Sequence, residues 1–326
     1  MNQMRKNIIS DKDTSLDYLK NKKISIIGYG NQGRAQALNL KDSGLSVSVG
    51  LRKNSKSISS VIKDGISVFE IPEAVRWADI ICLLIPDTIA PDVYNSQIKP
   101  FLEDGKALLF SHGYNIHYKK IIVDNNIDVV MVAPSAGGAI VRKEYKKGYG
   151  VPTLLAIKND YSGSAFDIIK SYSKAIGGTK VCAFVSTFKE ETETDIFGEQ
   201  AILTGGLPYL INSSYNTLIE NGYDSTVAWF VCYYEIKTIV DLFHNKGFDE
   251  FYSLISDTAR YGGISRGKKL IDKNFDLKLS SILEDIKSGK FNKELSKNID
   301  ERRSPESFKS LEDKTKEMLE LIKNKI

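Results

Sequence analysis

The sequence predicts an α/β protein of two domains: a doubly wound parallel sheet in residues 1–186, then an all-helical domain in residues 187–326. Short β-branched runs alternate with helical patterns in the first part, as in sheets whose strands are joined by crossover helices. From about Thr187 the alternation stops and longer helical patterns follow. At 326 residues, the chain is long enough for each domain to bury a core.

Composition and charge are those of an ordinary globular protein, with 42% hydrophobic and 26% charged residues. The net charge of +4 is spread along the chain, so we expect no nucleic-acid partner. The N-terminal MNQMRKN has no apolar segment, and we expect neither a signal peptide nor a membrane span. Cys82, Cys182 and Cys232 are far apart, which is typical of reduced thiols and predicts a cytoplasmic protein.

The first element is the β-branched run Lys23–Ile27, which predicts a buried parallel strand. It leads into the GxGxxG pattern of Gly28, Gly30 and Gly33, and then into a helical pattern that ends near Gly44. Between a strand and a helix this pattern predicts a dinucleotide-binding turn. The first glycine permits the tight turn, the second lets the backbone approach the pyrophosphate, and the third lets the helix pack on the strand. A glycine-rich turn without a ligand is the alternative.

The next strand, Ser46–Leu51, ends where the ribose of the cofactor should lie. A site that prefers NAD has an acidic residue there, whereas this chain has Arg52, Ser55 and Ser57. A guanidinium and two hydroxyls suit a 2′-phosphate, so we predict NADPH rather than NADH. A solvated loop is the alternative. The candidate cofactor-binding residues are Gly28, Tyr29, Gly30, Gln32, Gly33, Arg52, Ser55, Ser57, Pro86 and Asp87.

Four more strands are predicted farther along the first domain, over residues 78–86, 106–110, 128–133 and 153–157. In a doubly wound sheet the ligand binds at the carboxyl ends of the strands. His112 lies at such an end, after the strand that should border the nicotinamide. We therefore predict that His112 is a catalytic residue, with an incidental loop histidine as the alternative.

The stretch Lys189–Gly206 has five carboxylates that run into an apolar segment. Asp195 and Glu199 are four residues apart, so on a helix they share a face with about 5–6 Å between their Cβ atoms. Two such carboxylates can chelate Mg²⁺, which takes oxygen ligands at about 2.0–2.1 Å. Because Phe197 and the apolar Ala201–Leu203 lie beside them, we expect a packed face. A solvated acidic face is the alternative.

In the second domain, Asp224 and Ser225 predict the N-cap of a helix from Thr226 to about Asn245, with Gly247 just past its end. The first three turns of this helix are apolar or aromatic, so we expect them to be buried.

Glu235 follows directly after those turns. A buried carboxylate is costly unless it is paired or bound to a metal, which makes Glu235 a candidate metal ligand. A buried pair with a basic residue is the alternative. Ser256, farther along, has the residue type of an ordinary helix cap.

Seven segments together carry a resemblance to a known family: GYGNQG, GLRKNSKS, IPDT, SHGYNIH, EETETDIFGEQ, YYEIKTIVD and ISDTARYGG. Over about residues 15–290 the chain resembles the short-form (class I) ketol-acid reductoisomerases. The resemblance implies a Rossmann domain that binds NADPH, followed by a knotted all-α domain. It also implies a homodimer or higher homo-oligomer with shared active sites.

The resemblance further implies a reaction on a small acid of the 2-acetolactate type. An alkyl group migrates between adjacent carbons, and hydride from NADPH then reduces the new 2-oxo group. Asp195 would bridge two Mg²⁺ ions, and Glu199 would hold one of them and assist proton transfer. Glu235 and Ser256 of one subunit would complete the site of the other, with Ser256 binding the substrate carboxylate.

Two positions depart from the family pattern. Val231 stands where the family has a second glutamate, one turn before Glu235, and Ser135 stands where it has a lysine. Alkyl migration needs both substrate oxygens held by two metal ions, whereas hydride transfer can proceed with one. Three hypotheses follow: an intact reductoisomerase, a diverged reductase that acts on a 2-oxo acid or imine without alkyl migration, and a non-catalytic NADPH-binding protein.

Overall fold

The structure is a computed structural model and describes residues 8–297 and 304–323. The chain divides into two compact units between Thr192 and Glu193. The boundary predicted from the sequence lies after residue 186. Residues 1–7, for which we expect no signal peptide, lie outside the described part. Among the described residues, no helix is long and apolar enough to cross a membrane.

The first unit is built on a sheet that has nine strands within the described residues, in the order β1-β9-β8-β7-β6-β5-β2-β3-β4. Its strands are β1 (Ile8–Ile9), β2 (Lys23–Ile27), β3 (Ser46–Leu51), β4 (Ser67–Glu70), β5 (Ile80–Leu83), β6 (Ala107–Phe110), β7 (Asp128–Pro134), β8 (Thr153–Asn159) and β9 (Ala183–Val185). Its helices are α1 (Asn31–Asp42), α2 (Ile58–Lys63), α3 (Ile71–Trp77), α4 (Ala90–Val93), α5 (Tyr114–His117), α6 (Gly138–Lys146) and α7 (Ala165–Ile176). Helix α8 (Phe188–Gly198) crosses the boundary between the units.

Helices cover both faces of this sheet, as the doubly wound prediction requires. Neighbouring residues of a strand point to opposite faces. Ile80 and Cys82 of β5 therefore join one core with α1, α2 and α7, while Ile81 and Leu83 join the other with α3 and α4. The α/β fold class is confirmed. The helices cover the faces of the sheet, so a ligand site can form at the turns that follow the strand ends.

The prediction of a wholly parallel sheet is wrong at β8, which runs antiparallel to β7 with Thr153 opposite Pro134. The connecting helix α6 does not cross the sheet but packs on α1. The backbones are so close there that a Cβ at Gly138 would lie 2.1 Å from the carbonyl oxygen of Asn31. Because the connection returns to the end of the sheet where β7 finishes, β8 starts beside Pro134 and runs antiparallel to β7. Strands β1, β4 and β9, none longer than four residues, are not predicted from the sequence.

Over residues 193–297 and 304–323 the second unit consists of helices joined by turns and contains no strand, which confirms the predicted all-α class. Its helices are α9 (Gly206–Glu220), α10 (Ser225–Trp229), α11 (Glu235–Leu254), α12 (Asp257–Leu270), α13 (Lys273–Lys287), α14 (Lys290–Leu295) and α15 (Lys309–Lys323), with π-helical turns at Glu199–Leu203 and Phe230–Tyr234. A small core forms around Trp229, whose Nε1 donates to Thr315 Oγ1 at 3.0 Å.

The start of the helix predicted over 226–245 is confirmed, and near its predicted end α11 is broken at Gly247. Asp224 accepts hydrogen bonds from the backbone N–H groups of Thr226 and Val227, and Gly247 has a non-helical φ of +75°. The expected burial is wrong. Ala228 and Trp229 are buried in the small core and Cys232 packs against it, whereas Phe230, Val231, Tyr233 and Tyr234 are exposed. The burial argument for Glu235 therefore fails within a single chain, because Glu235 is exposed as well.

Candidate active site

The turn after β2 is shaped by its three glycines. Gly28 has a φ of +101°, and a Cβ there would lie 2.5 Å from the carbonyl oxygen of Leu84. A Cβ at Gly33 would lie 2.4 Å from the carbonyl oxygen of Gly28, so α1 packs directly on the turn. Apart from Gly30 and its two chain neighbours, no heavy atom of the described residues lies within 4 Å of the Cβ position at Gly30. The N–H groups at the start of α1 therefore face a space that a phosphate can enter.

A cleft of about 300 Å³ opens next to this turn, at the carboxyl ends of β5 and β6. It brings together the predicted residues Gly30, Gln32, Pro86, Asp87 and His112. Asp87 accepts a hydrogen bond from Asn115 Nδ2 at 2.9 Å, which orders that wall of the cleft. Residues from three separate segments thus meet at the position where a doubly wound sheet binds its ligand.

Tyr29 does not line this cleft. Its hydroxyl donates to Asp64 at 2.8 Å, and Arg34 binds the same carboxylate through two N–H groups at 2.7 and 3.0 Å. The Arg34 bonds hold the pKa of Asp64 below its ordinary value. Burial raises the pKa of Tyr29 above its ordinary value, and the bond to Asp64 adds to that effect. Tyr29 is tied into a local network that braces α1 against the end of α2.

Arg52, Ser55 and Ser57 lie in the turn between β3 and α2. The N–H of Ser55 donates to the carbonyl oxygen of Arg52 at 2.9 Å, and the N–H of Ser57 donates to Ser55 Oγ at 3.3 Å. The Arg52 side chain is exposed at the carboxyl end of β3, the strand beside β2. A 2′-phosphate on the adenosine ribose would lie at this end of the sheet.

His112 forms a hydrogen-bonded pair with Glu191, a residue that the sequence analysis missed. His112 Nδ1 lies 2.9 Å from Glu191 Oε1, and the N–H of Gly113 donates to Glu191 Oε2 at 2.8 Å. Glu191 is only 2% exposed. The space between these segments is so tight that a Cβ at Gly113 would lie 2.5 Å from Thr192 Oγ1. The pair fixes the orientation of the imidazole at the mouth of the cleft.

Three acids follow one another at intervals of four residues along α8 and the π-helical turn after it: Glu191, Asp195 and Glu199. The four-residue spacing of Glu191 from Asp195 could have identified Glu191 as a candidate site residue from the sequence. Asp195 and Glu199 are exposed, so the expectation of a packed face is wrong. The physical reason is that Ile196 and Ala201 take the buried side of the helix and leave the acids on the open side.

The remaining predicted residues lie in the second unit. Glu235 begins α11 directly after the π-helical turn that contains Val231, and both side chains are exposed. Ser256 is the N-cap of α12, and its hydroxyl accepts from the N–H of Ala259 at 3.2 Å. Single-turn π-helical insertions occur often at functional sites, and here one precedes Glu235 and another begins at Glu199.

Known proteins match the chain in both units. Residues 18–182 match the family described as acetohydroxy acid isomeroreductase, NADPH-binding domain, and residues 188–325 match ketol-acid reductoisomerase, C-terminal domain. The chain belongs to the ketol-acid reductoisomerase family. Residues 18–182, within its first unit, are the NADPH-binding domain of that family.

Individual relatives agree with the family. The ketol-acid reductoisomerase (NADP(+)) of Methanocaldococcus jannaschii is 50% identical over 289 residues, which is 89% of this chain and 88% of that protein. A Methanococcus maripaludis relative of the same name is 48% identical over 287 residues, 88% of this chain and 87% of that protein. The solved structure of an NADH-preferring ketol-acid reductoisomerase from an uncultured archaeon has a TM-score of 0.87 at 39% identity and covers 90% of both chains.

Proposed function

We propose that this chain is a Mg²⁺- and NADPH-dependent ketol-acid reductoisomerase acting on a small acid of the 2-acetolactate type. The observation that carries the proposal is the cleft at the strand ends, where Gly30 and Gln32 of the glycine turn meet His112, itself held by Glu191. A dinucleotide site and a positioned imidazole in one cleft suit a reaction that transfers hydride and protons.

The first unit suits NADPH on structural grounds. The open space beside Gly30 is what a pyrophosphate needs, and a side chain there would fill it. Arg52, Ser55 and Ser57 offer one positive charge and two hydroxyls for the 2′-phosphate. When bound, NADPH supplies the hydride. Gly28 and Gly33 shape the turn, and Pro86 and Asp87 line the same cleft.

For the metal, the chain offers carboxylate oxygens, the ligands that Mg²⁺ prefers. We propose that Asp195, Glu199 and Glu235 hold it. When bound, Mg²⁺ supplies a Lewis acid and a template for the substrate oxygens. Since Glu191 holds Nδ1 of His112, proton exchange with the substrate falls to Nε2 of the same ring.

We propose that the active molecule is a homodimer or a higher homo-oligomer, with Glu235 and Ser256 completing the site of the partner subunit. Helices α11 and α12, both described in full, contain no buried residue. Phe248, Tyr261 and Leu270 on them are 64%, 73% and 65% exposed. An apolar surface of this extent on long helices is typical of a face that another chain covers. Sedimentation velocity tests this, and a monomer at micromolar concentration would contradict it.

A second candidate function rests on Val231 and Ser135. Val231 cannot supply the carboxylate that the resemblance implies there, so a second metal ion would have one ligand fewer, and Ser135 cannot supply the positive charge of a lysine. The diverged reductase reduces a 2-oxo acid or imine without alkyl migration. A non-catalytic NADPH-binding protein would need none of His112, Glu191 or the helix acids.

The test is NADPH oxidation with Mg²⁺, comparing 2-acetolactate with its isomerised product 3-hydroxy-3-methyl-2-oxobutanoate. Turnover of both supports the reductoisomerase. Turnover of the second alone identifies the diverged reductase. Cofactor binding without turnover of either compound, or of other 2-oxo acids and imines, identifies the binding protein. We also propose a cytoplasmic location, which agrees with three free thiols at Cys82, Cys182 and Cys232.

A further inference from the structure

A chain of side-chain hydrogen bonds runs from the loop after β7, through α1, to the cleft. Gln32 Nε2 donates to the carbonyl oxygen of Ala136 at 2.8 Å. Gln36 Nε2 donates to Gln32 Oε1 at 3.1 Å and to Ser111 Oγ at 2.9 Å. The hydroxyl of Tyr172 donates to Gln36 Oε1 at 2.8 Å. The amide of Gln36 thereby uses both of its hydrogens and its oxygen.

The donor and acceptor of each hydrogen bond in this series are fixed by the bond to the Ala136 carbonyl oxygen. A backbone carbonyl can only accept, so Gln32 turns its NH₂ group to Ala136 and its oxygen to Gln36. Gln36 then has to turn its NH₂ group to Gln32, which leaves its oxygen for Tyr172. The second hydrogen of that NH₂ group points at Ser111 Oγ. The hydroxyl hydrogen of Ser111 must therefore point away from Gln36.

Burying the polar side chains of Gln36 and Tyr172 has a cost in folding free energy. Gln36 and Tyr172 are both 0% exposed, and buried polar groups destabilise a protein unless they are hydrogen-bonded. The phenol of Tyr172 is protonated at neutral pH, as in any tyrosine, and burial raises its pKa further. A leucine and a phenylalanine could fill the same volume without this requirement. The buried bonds end on two residues of the cleft, Gln32 and Ser111.

Ser111 lines the cleft directly beside His112, at the carboxyl end of β6. Arg52 stands at the end of β3, on the other side of β2 in the sheet order β6-β5-β2-β3. If the adenosine half of the cofactor lies over β3, its nicotinamide half lies over β5 and β6. We propose that Ser111 donates its hydroxyl hydrogen to the nicotinamide half of NADPH, and that Gln36 and Tyr172 are positioning residues that fix this donor direction. The inference rests on the proposed cofactor site.

The test compares two ligands. NADPH has both halves, whereas adenosine 2′,5′-bisphosphate has only the adenosine half. Ser111→Ala should weaken NADPH binding about fivefold to tenfold, which is the effect of one lost neutral hydrogen bond. The dissociation constant for adenosine 2′,5′-bisphosphate should stay unchanged. Ser111→Thr keeps the hydroxyl and should restore NADPH affinity. Both constants are measured by calorimetry on the full chain, so no turnover is needed.

The positioning role is tested by Gln36→Met, which keeps the volume and removes the amide. It should weaken NADPH binding about fivefold alone and add little in the Ser111→Ala background, because both changes remove the same donor. Asn39→Leu is the matched control. Asn39 is another fully buried amide on α1, but it bonds the carbonyl oxygen of Ile176 at 3.1 Å and Arg142 Nη1 at 2.8 Å, outside the cleft. This variant should leave both ligand constants unchanged.

The outcomes separate the inference from the function on which it rests. A wild-type chain that binds neither ligand would overturn the proposed cofactor site, and the inference with it. A wild-type chain that binds both, with Ser111→Ala leaving the NADPH constant unchanged or weakening both ligands equally, would overturn the inference alone. If Gln36→Met does not fold, the Ser111→Ala and Ser111→Thr pair still decides it.

Discussion

Glu191 Oε1 lies 2.9 Å from His112 Nδ1, although 79 residues separate the two along the chain. A nearly fully buried carboxylate and an imidazole that is 25% exposed, at the mouth of a dinucleotide cleft, form a pair suited to proton transfer.

Glu191→Gln keeps the shape of the side chain and removes its charge. We expect kcat for reduction of 3-hydroxy-3-methyl-2-oxobutanoate to fall by about 10²-fold, since positioned proton transfer contributes on this scale. NADPH affinity should change little, because Glu191 does not line the cleft. The control is Glu190→Gln, an exposed neighbour that accepts from Ser186 Oγ. Equal kcat values for Glu191→Gln and wild type would contradict the assignment.

Gly30→Ala and Gly33→Ala separate cofactor binding from folding. A Cβ at Gly30 meets open space within the described residues, so the free energy of unfolding should change by less than about 1 kcal/mol. NADPH affinity should fall more than tenfold because the methyl group takes the place of the pyrophosphate. A Cβ at Gly33 meets the carbonyl oxygen of Gly28 at 2.4 Å, and we expect a loss of about 1–3 kcal/mol. Urea unfolding and NADPH titration measure both effects.

Arg52 should decide the choice between the two nicotinamide cofactors. We expect Arg52→Ala to raise KM for NADPH about tenfold and to leave KM for NADH unchanged, because only NADPH has a 2′-phosphate for the guanidinium. Lys53→Ala is the control for a general loss of positive charge in the same turn. An equal rise in KM for NADPH and for NADH would show that Arg52 does not bind the 2′-phosphate.

Restoring the two absent charges tests how far the isomerisation step depends on them. Val231→Glu combined with Ser135→Lys should raise turnover of 2-acetolactate relative to its isomerised product by about tenfold, because the new carboxylate adds a ligand for a second Mg²⁺ and the lysine restores the absent positive charge. Val240→Glu adds the same charge at another exposed valine, on α11, and should have no such effect. An unchanged ratio would mean that the second metal ion does not limit the alkyl shift.

The Arg34–Asp64 pair predicts a pH-dependent part of the stability. The hydrogen bonds from Arg34 lower the pKa of Asp64 in the folded state. Stabilisation is therefore complete above the unfolded value of about 3.9 and is lost as the pH falls through the lower, folded value. Because the Arg34 side chain is half exposed, we expect only about 0.5–1 kcal/mol.

Asp64→Asn is the variant that tests this pair. The difference in unfolding free energy between wild type and Asp64→Asn should be largest at pH 5–7 and should shrink as the pH is lowered below about 4. Urea unfolding at two pH values measures it, with the exposed Asp92→Asn as control. A difference that stays constant with pH would rule out the ionised pair as its source.

Local features were predictable because their causes are local. The strands Lys23–Ile27 and Ser46–Leu51 follow from β-branched runs, the Asp224 cap from its side-chain oxygen, and the left-handed Gly247 from its missing Cβ. The family was predictable because its motifs are short and ordered along the chain. Short strands such as Ala183–Val185 were not predictable, because so few residues cannot show the two-residue alternation of a strand.

Non-local relations were decided by the tertiary structure alone. The sequence by itself determined the α/β class, the glycine turn and the acids at helical spacing. It did not determine that α6 packs on α1 and reverses β8, that Glu191 meets His112, or that Asp195 and Glu235 are exposed. These depend on how distant segments share space, and the free energy of such contacts is not encoded in the neighbours of any one residue.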